Sequence, residues 1–290
     1  MSLAAIVGPP LAAPLLFVIG VQWSLIVNAV SFVVSFVMIL GIRVPALAGG
    51  PAPALDARPG VWRELVVGLR FVGRSRVLMA VLVSGCGAVF GANAINVLDV
   101  FFVSENLHAA PKWLGMLSMA QGIGAIIGAL LAGAFAARIG LARVFWLSLL
   151  MTGFGLVVYS RQGNLPVALV VMFAVGVPLA ALNSIAGPII LKVTPRELLG
   201  RVISVLNPAL QLAGILSIAI ASYLASTVLR GLDARIAGVH FGRIDTIFFA
   251  GGVMIVASAV YAYVALRGMD APRQPTPEPQ QAEEPVLPVT

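Results

Sequence analysis

The chain has 290 residues, 60% of them hydrophobic and only 10% charged, with a mean hydropathy of +1.04. Soluble domains carry roughly 25% charged residues, so a core this large cannot be screened from water here, and lipid must be part of the solvent. The net charge of +7 and pI near 10.5 do not imply nucleic acid, because the Arg residues stand singly between apolar runs and form no basic stripe.

Backbone groups inside hydrocarbon must be satisfied within their own segment, so apolar runs of about 20 residues are expected to be helices. The alternating pattern of a membrane β-barrel is absent. The fold class expected is therefore all-α, a polytopic membrane helix bundle with about eight transmembrane helices. In chain order the spans cover residues 3–20, 22–42, 77–102, 113–136, 144–159, 166–191, 202–228 and 245–266. Met1-Ser2-Leu3 enters the first run with no basic segment before it, which argues against a signal peptide and for a chain that starts within a span. Residues 43–76 form a polar linker that opens with Pro45, Gly49, Gly50, Pro51, Pro53 and Pro59. Within it Val61, Trp62, Leu65, Val66, Leu69 and Val72 recur at helical spacing, with Arg63, Glu64, Arg70 and Arg74 on another face. That pattern fits a helix lying on the membrane surface with Trp62 at headgroup level, and equally a connector helix packed beneath the bundle. The tail, residues 268–290, is rich in Pro, Gln and Glu and is expected to be disordered.

Orientation follows from the 18 basic residues. Arg43, Arg58, Arg63, Arg70, Arg74, Arg76, Arg138, Arg143, Lys192, Arg196, Arg201, Arg267 and Arg273 fall on one side, and Lys112, Arg161, Arg230, Arg235 and Arg243 on the other. The first side is expected to be cytoplasmic, which places both termini inside a cell (plasma or inner) membrane.

Three local patterns carry a resemblance. Gly8-Pro9-Pro10-Leu11-Ala12-Ala13 places a Gly-Pro just ahead of a small pair, which bends a helix and leaves it a smooth face. Between the fourth and fifth spans, Gly133, Arg138, Gly140 and Arg143 keep a Gly-x-x-x-x-Arg-x-Gly-x-x-Arg spacing, and Gly140 permits a tight turn. Between the sixth and seventh, Pro195 precedes Gly200-Arg201. In order and sidedness these resemble the helix-five antiporter signature and the two cytoplasmic loops of major facilitator transporters, and with Asn28 to Phe32 they resemble the branch of the enterobactin exporter and macrolide efflux pumps. The sequence departs from that pattern at Ala12-Ala13, where the family has Gly-Gly, and at Ala137, where it has an acid.

The resemblance implies that the spans are helices five to twelve, without about the first four. Residues 1–42 would then end an N-terminal bundle, 43–76 would be the central cytoplasmic linker, 77–267 a six-helix C-terminal bundle and 268–290 a tail. It also implies inverted three-helix repeats and efflux driven by proton antiport.

Polar side chains inside a membrane are costly and mark candidate solute paths. Asn93 and Asn96 lie three apart in the third span, with Asp99 about a turn further out; Gln121, Asn183, Asn207 and Gln211 are the other mid-span amides. Asp99 is expected near the outer interface, solvated or paired with an Asn; a role in proton coupling is the alternative. Pro208 lies between Asn207 and Gln211 and could open that helix locally. Amides bridging helices remain the structural alternative for each. Gly87 with Gly91, and Gly124 with Gly128 and Ala132, permit close helix packing.

Enzyme chemistry has little to work with. His108 and His240 fall in loops away from paired acids, and Cys86 is the one cysteine. No metal-ligand cluster, activated nucleophile or phosphate-cradling Gly-Lys-Ser loop is present. No cofactor is expected. The reading is a secondary exporter of small amphiphilic molecules, with the bilayer and a small-molecule substrate as partners and a separate chain as a source of the missing helices. The alternative is a membrane scaffold or inactive fragment without transport of its own.

Overall fold

The computed structural model describes residues 22–23, 25–41, 61–228, 233–236, 239–267 and 269. The expected span over 3–20, the motif Gly8, Pro9, Ala12 and Ala13, and nearly all of the tail lie outside the described residues. Helix α1 (Leu25–Leu40) is apolar except for Asn28, Ser31 and Ser35, which share one face, and it is exposed at every described position. Helix α2 (Val61–Arg74) follows, then six helices long and apolar enough to cross a membrane. These are α3 (Arg76–Glu105), α4 (Leu114–Ile139), α5 (Leu141–Tyr159), α6 (Leu165–Val193), α7 (Leu199–Tyr223) and α8 (Arg243–Ala265).

Local chemistry sets the boundaries. Ser75 is extended (φ −92°, ψ 109°), and its hydroxyl accepts from Leu78 N–H at 3.3 Å, so it ends α2 and caps α3. Gly140 is the whole connection between α4 and α5, with φ 94°, a left-handed value that a side chain would resist. The connection expected over residues 137–143 is thus one residue long, and the motif residues Gly133 and Arg138 belong to the last turns of α4. Pro166 occupies the first turn of α6, where its missing N–H costs nothing. Pro208 does not open α7, which is continuous from Leu199 to Tyr223 and then widens into a π-turn over Leu224–Val228. A short antiparallel hairpin, β1 (Asp233–Ile236) with β2 (Val239–Gly242), joins this turn to α8. Periodicity did not disclose it, because a four-residue strand is too short to register.

Helix α3 packs on α7 and α8, α6 packs on α4 and α5, and α5 packs on α8. Exchanging α3–α4–α5 with α6–α7–α8 preserves these pairings, as expected for two three-helix repeats in opposite orientation. The six spans make an arc in the order α7, α3, α8, α5, α6, α4. Its terminal members α4 and α7 have only 17% and 22% of their most apolar stretch buried, against 44% in α5.

Glycines allow this closeness. A Cβ on Gly124 would overlap the Phe173 carbonyl, one on Gly128 the Val177 carbonyl, and one on Gly176 the Gln121 carbonyl. Consecutive Gly251 and Gly252 serve two interfaces at once. A Cβ on Gly251 would lie 2.9 Å from the Gly91 oxygen on α3, and one on Gly252 would lie 3.0 Å from the Gly153 oxygen on α5.

Helix α2 packs on the bundle through one face. Leu65, Phe71 and Val72 join Leu78, Val202, Val205 and Leu206 in a small apolar cluster. Arg201 meets Glu64 at 3.4 Å, with both side chains a third or more exposed. Glu64→Ala is expected to cost less than about 1 kcal/mol of stability, and less still at high salt. A thermal melt in detergent at two salt concentrations checks this.

Candidate functional site

The arc has two sides, and polar side chains separate them. The outer side carries two apolar grooves. One, of about 300 Å³, lies over α3 between α7 and α8 and is lined by Phe90, Ala94, Ser217, Ile220 and Met254. The other, of about 330 Å³, lies over α6 between α4 and α5 and includes Leu131, Phe135, Met151, Pro178 and Ala181. Neither contains a candidate amide.

Helical geometry places the amides opposite. At 3.6 residues per turn, Asn183 falls on one flank of the α6–α4 contact and the groove residues Pro178 and Ala181 on the other. Asn207 and Gln211 likewise flank the α7–α3 contact on the side away from Ser217 and Ile220, and Asn96 flanks it from α3. Asn96, Asn183, Asn207 and Gln211 are all exposed. The exposed mid-span residues of α5 and α8, by contrast, are apolar: Met151, Phe154, Val253 and Val260.

The remaining candidates are engaged within the bundle. Asn93 is half-buried; its Nδ2 donates to Val89 O at 2.9 Å, and a Cβ on Gly214 would lie 3.3 Å from that nitrogen. Gln121 is half-buried at the α4–α6 crossing. Asp99 is half-buried and accepts from Tyr159 Oη at 2.8 Å, so its partner is a tyrosine of α5, not an asparagine. The Tyr159 ring is fully buried between Phe102 and Phe248, with centroids 4.8 Å and 6.1 Å away.

A polar clasp lies just beyond this cluster, at the hairpin end of the bundle. Asn106 Nδ2 donates to Asp245 Oδ1, and Gly242 N–H donates to Asp245 Oδ2 at 3.4 Å. Arg243 binds Glu105 through both nitrogens of its fork, Nε at 3.3 Å from Oε2. Arg161 lies 4.9 Å from the Phe249 ring centroid. The start of α8 is thereby tied to the end of α3 and to the end of α5. Sequence reading missed Tyr159, Asn106 and Asp245, whose partners lie 60 and 139 residues away. An acid in the first turn of α8, favoured by the helix dipole, was the one local signal.

At the opposite, Arg-rich end, Arg76 Nη2 donates to Val264 O at 3.0 Å. Arg138, Arg143, Pro195 and Gly200 are exposed, and Pro195 leads into a 3₁₀ turn, Arg196–Leu198. Among the described residues, no three His, Cys, Asp or Glu side chains gather to hold a metal.

The family model of the Major Facilitator Superfamily matches residues 81–289, most of the chain. The chain belongs to the Major Facilitator Superfamily. It is a multi-pass membrane protein, and membership of this superfamily points to a transporter in preference to an enzyme. It is 27% identical over 281 residues to the multidrug efflux pump Tap of Mycobacterium tuberculosis, covering 93% of this chain and 61% of that protein. It is 22% identical over 278 residues to YkuC of Bacillus subtilis, described as an uncharacterized MFS-type transporter, covering 91% of this chain and 60% of that one. The chain thus spans about three-fifths of the length of the curated relatives it matches.

Proposed function

We propose that this superfamily member serves in secondary export of small amphiphilic molecules by proton antiport, with the amide-bearing side of the arc as one wall of the solute path. The observation that carries the reading is the segregation of exposed amides onto α3, α6 and α7 and away from α5 and α8. Lipid cannot satisfy an amide, so a side bearing Asn96, Asn183, Asn207 and Gln211 is suited to water, solute or another bundle. Amides with apolar neighbours suit uncharged or weakly charged amphiphiles, and no described cation stands among them to clamp an anion. The likeness to a multidrug efflux pump supports the same substrate class. Asn93 and Gln121 would then act by holding the helix crossings, and Asp99 by its carboxylate at the outer end of the path.

Alternating access requires a second bundle against this wall, drawn from helices other than α3 to α8 or from a separate chain. Residues 43–76 would serve as the cytoplasmic linker, and the excess of 13 basic residues over 5 supports cytoplasmic termini in the cell membrane.

Export of an amphiphilic fluorescent dye from cells or proton-loaded vesicles tests the reading. Asn96→Ala and Gln211→Ala are each expected to slow efflux about fivefold, the worth of one hydrogen bond, and Asp99→Ala to abolish it. Vesicles that move no dye and keep their proton gradient would instead identify a scaffold.

A further inference from the structure

We propose that the exposed face of α2 binds the headgroups of anionic phospholipids. The inference rests on membrane embedding alone and is independent of what the bundle transports. At 3.6 residues per turn, Leu65, Gly68, Phe71 and Val72 make the buried arc of α2. Gly68 sets the approach: a Cβ there would lie 2.5 Å from Arg201 O and 3.2 Å from Val205 Cγ2. The partners of α2 on α7 are confined to residues 201 to 206, while its own contact residues run from 64 to 72. The helix therefore crosses α7 near its beginning instead of running alongside it. Its end at Ser75 opens α3, a second span that starts at the same level. This is the depth at which the apolar spans meet water, that is, the headgroup layer.

The opposite arc is built for that layer. Arg63, Arg70 and Arg74 are spaced i, i+7 and i+11, which aligns them in one exposed stripe. None of the three makes a hydrogen bond or ion pair with a described residue, whereas Glu64, the one acid of α2, is held by Arg201. Beside the stripe stand Val66 and Leu69, 50% and 57% exposed. Exposed apolar side chains next to three guanidinium forks match a phosphodiester above and acyl chains below. The surface potential of anionic lipid strengthens each cationic contact at short range. Glycine 73, with open space around it, leaves room for a headgroup between Leu69 and Arg70.

The test uses the whole chain with Cys86→Ala and Val66→Cys, labelled at residue 66 with an environment-sensitive dye. It is reconstituted in vesicles of phosphatidylcholine alone or mixed with phosphatidylglycerol. The dye should occupy a more apolar and more lipid-quenchable position with phosphatidylglycerol than in phosphatidylcholine alone. Combined Arg63→Gln, Arg70→Gln and Arg74→Gln should weaken the response to phosphatidylglycerol at least about tenfold, and the triple Lys variant should retain most of it. Size-exclusion profiles confirm that each variant is folded. Identical emission in both lipids, or an unchanged response in the Gln variant, overturns the proposal. So does suppression of the response by millimolar inorganic phosphate, which would mark a site for soluble anions.

Discussion

Gly128→Leu is expected to separate α4 from α6 and to prevent recovery of a monodisperse protein. The physical reason is the identity of the obstructing atom. A side chain at residue 128 meets the Val177 carbonyl and Cα of α6, and backbone in a helix cannot rotate aside as a side chain can. Overpacking a core that can adjust costs about 1–3 kcal/mol; here relief requires moving the whole α4–α6 crossing, so at least about 3 kcal/mol is expected. That is a large part of a total stability of about 5–15 kcal/mol. Gly133→Ala on the same helix is the control, because nothing lies within 4 Å of a Cβ there. It should shift stability by no more than about 1 kcal/mol, in the favourable direction of helix propensity. Thermal denaturation followed by size-exclusion chromatography in detergent measures both, and equal stability of the two variants would refute the account.

Tyr159→Phe should carry the second large effect. The substitution keeps the ring between Phe102 and Phe248 and removes only the hydroxyl that donates to Asp99 at 2.8 Å. No other hydrogen bond or ion pair reaches Asp99 among the described residues. A hydrogen bond to a charged group contributes about 1.5–3 kcal/mol, so a loss in that range is expected. Asp99→Leu alone strands the Tyr159 hydroxyl inside an aromatic cluster and should cost about 1–3 kcal/mol. The double variant should cost less than the sum, since neither orphaned group then remains, with a coupling of about 1–2 kcal/mol. Strict additivity in a double-mutant cycle would show that the pair does not act as a unit. Read beside dye efflux, the same cycle separates the roles of Asp99. A purely structural role predicts that Tyr159→Phe and Asp99→Leu lose transport in proportion to stability. A role in coupling predicts that only the carboxylate variants uncouple dye from protons.

The spans were legible in the sequence because each is decided by its own residues. Apolar runs of sufficient length satisfy their backbone bonds internally, so α3 to α8 fall within a few residues of the expected boundaries. Gly140, with its positive φ, was legible as a turn for the same local reason. The double character of α2 was legible only in outline. Its spacing showed apolar and basic faces, but the apolar face divides between Leu65 and Val72, which are covered, and Val66 and Leu69, which are not.

The candidate site divides along the same line. That Asn96, Asn183, Asn207 and Gln211 sit in apolar helices is a property of the sequence. That they share one side of the arc, opposite two apolar grooves, follows from which helices touch. The pairing of Asp99 with Tyr159, the clasp of Asn106 and Asp245, and the double use of Gly251 and Gly252 have no counterpart in spacing. They join residues 60 to 160 positions apart. By itself the sequence determined a helical membrane bundle, because hydrocarbon imposes one solution on each apolar run separately. Only the tertiary structure decided which polar groups face each other, because helix packing depends on pairs of surfaces, and no single segment contains both.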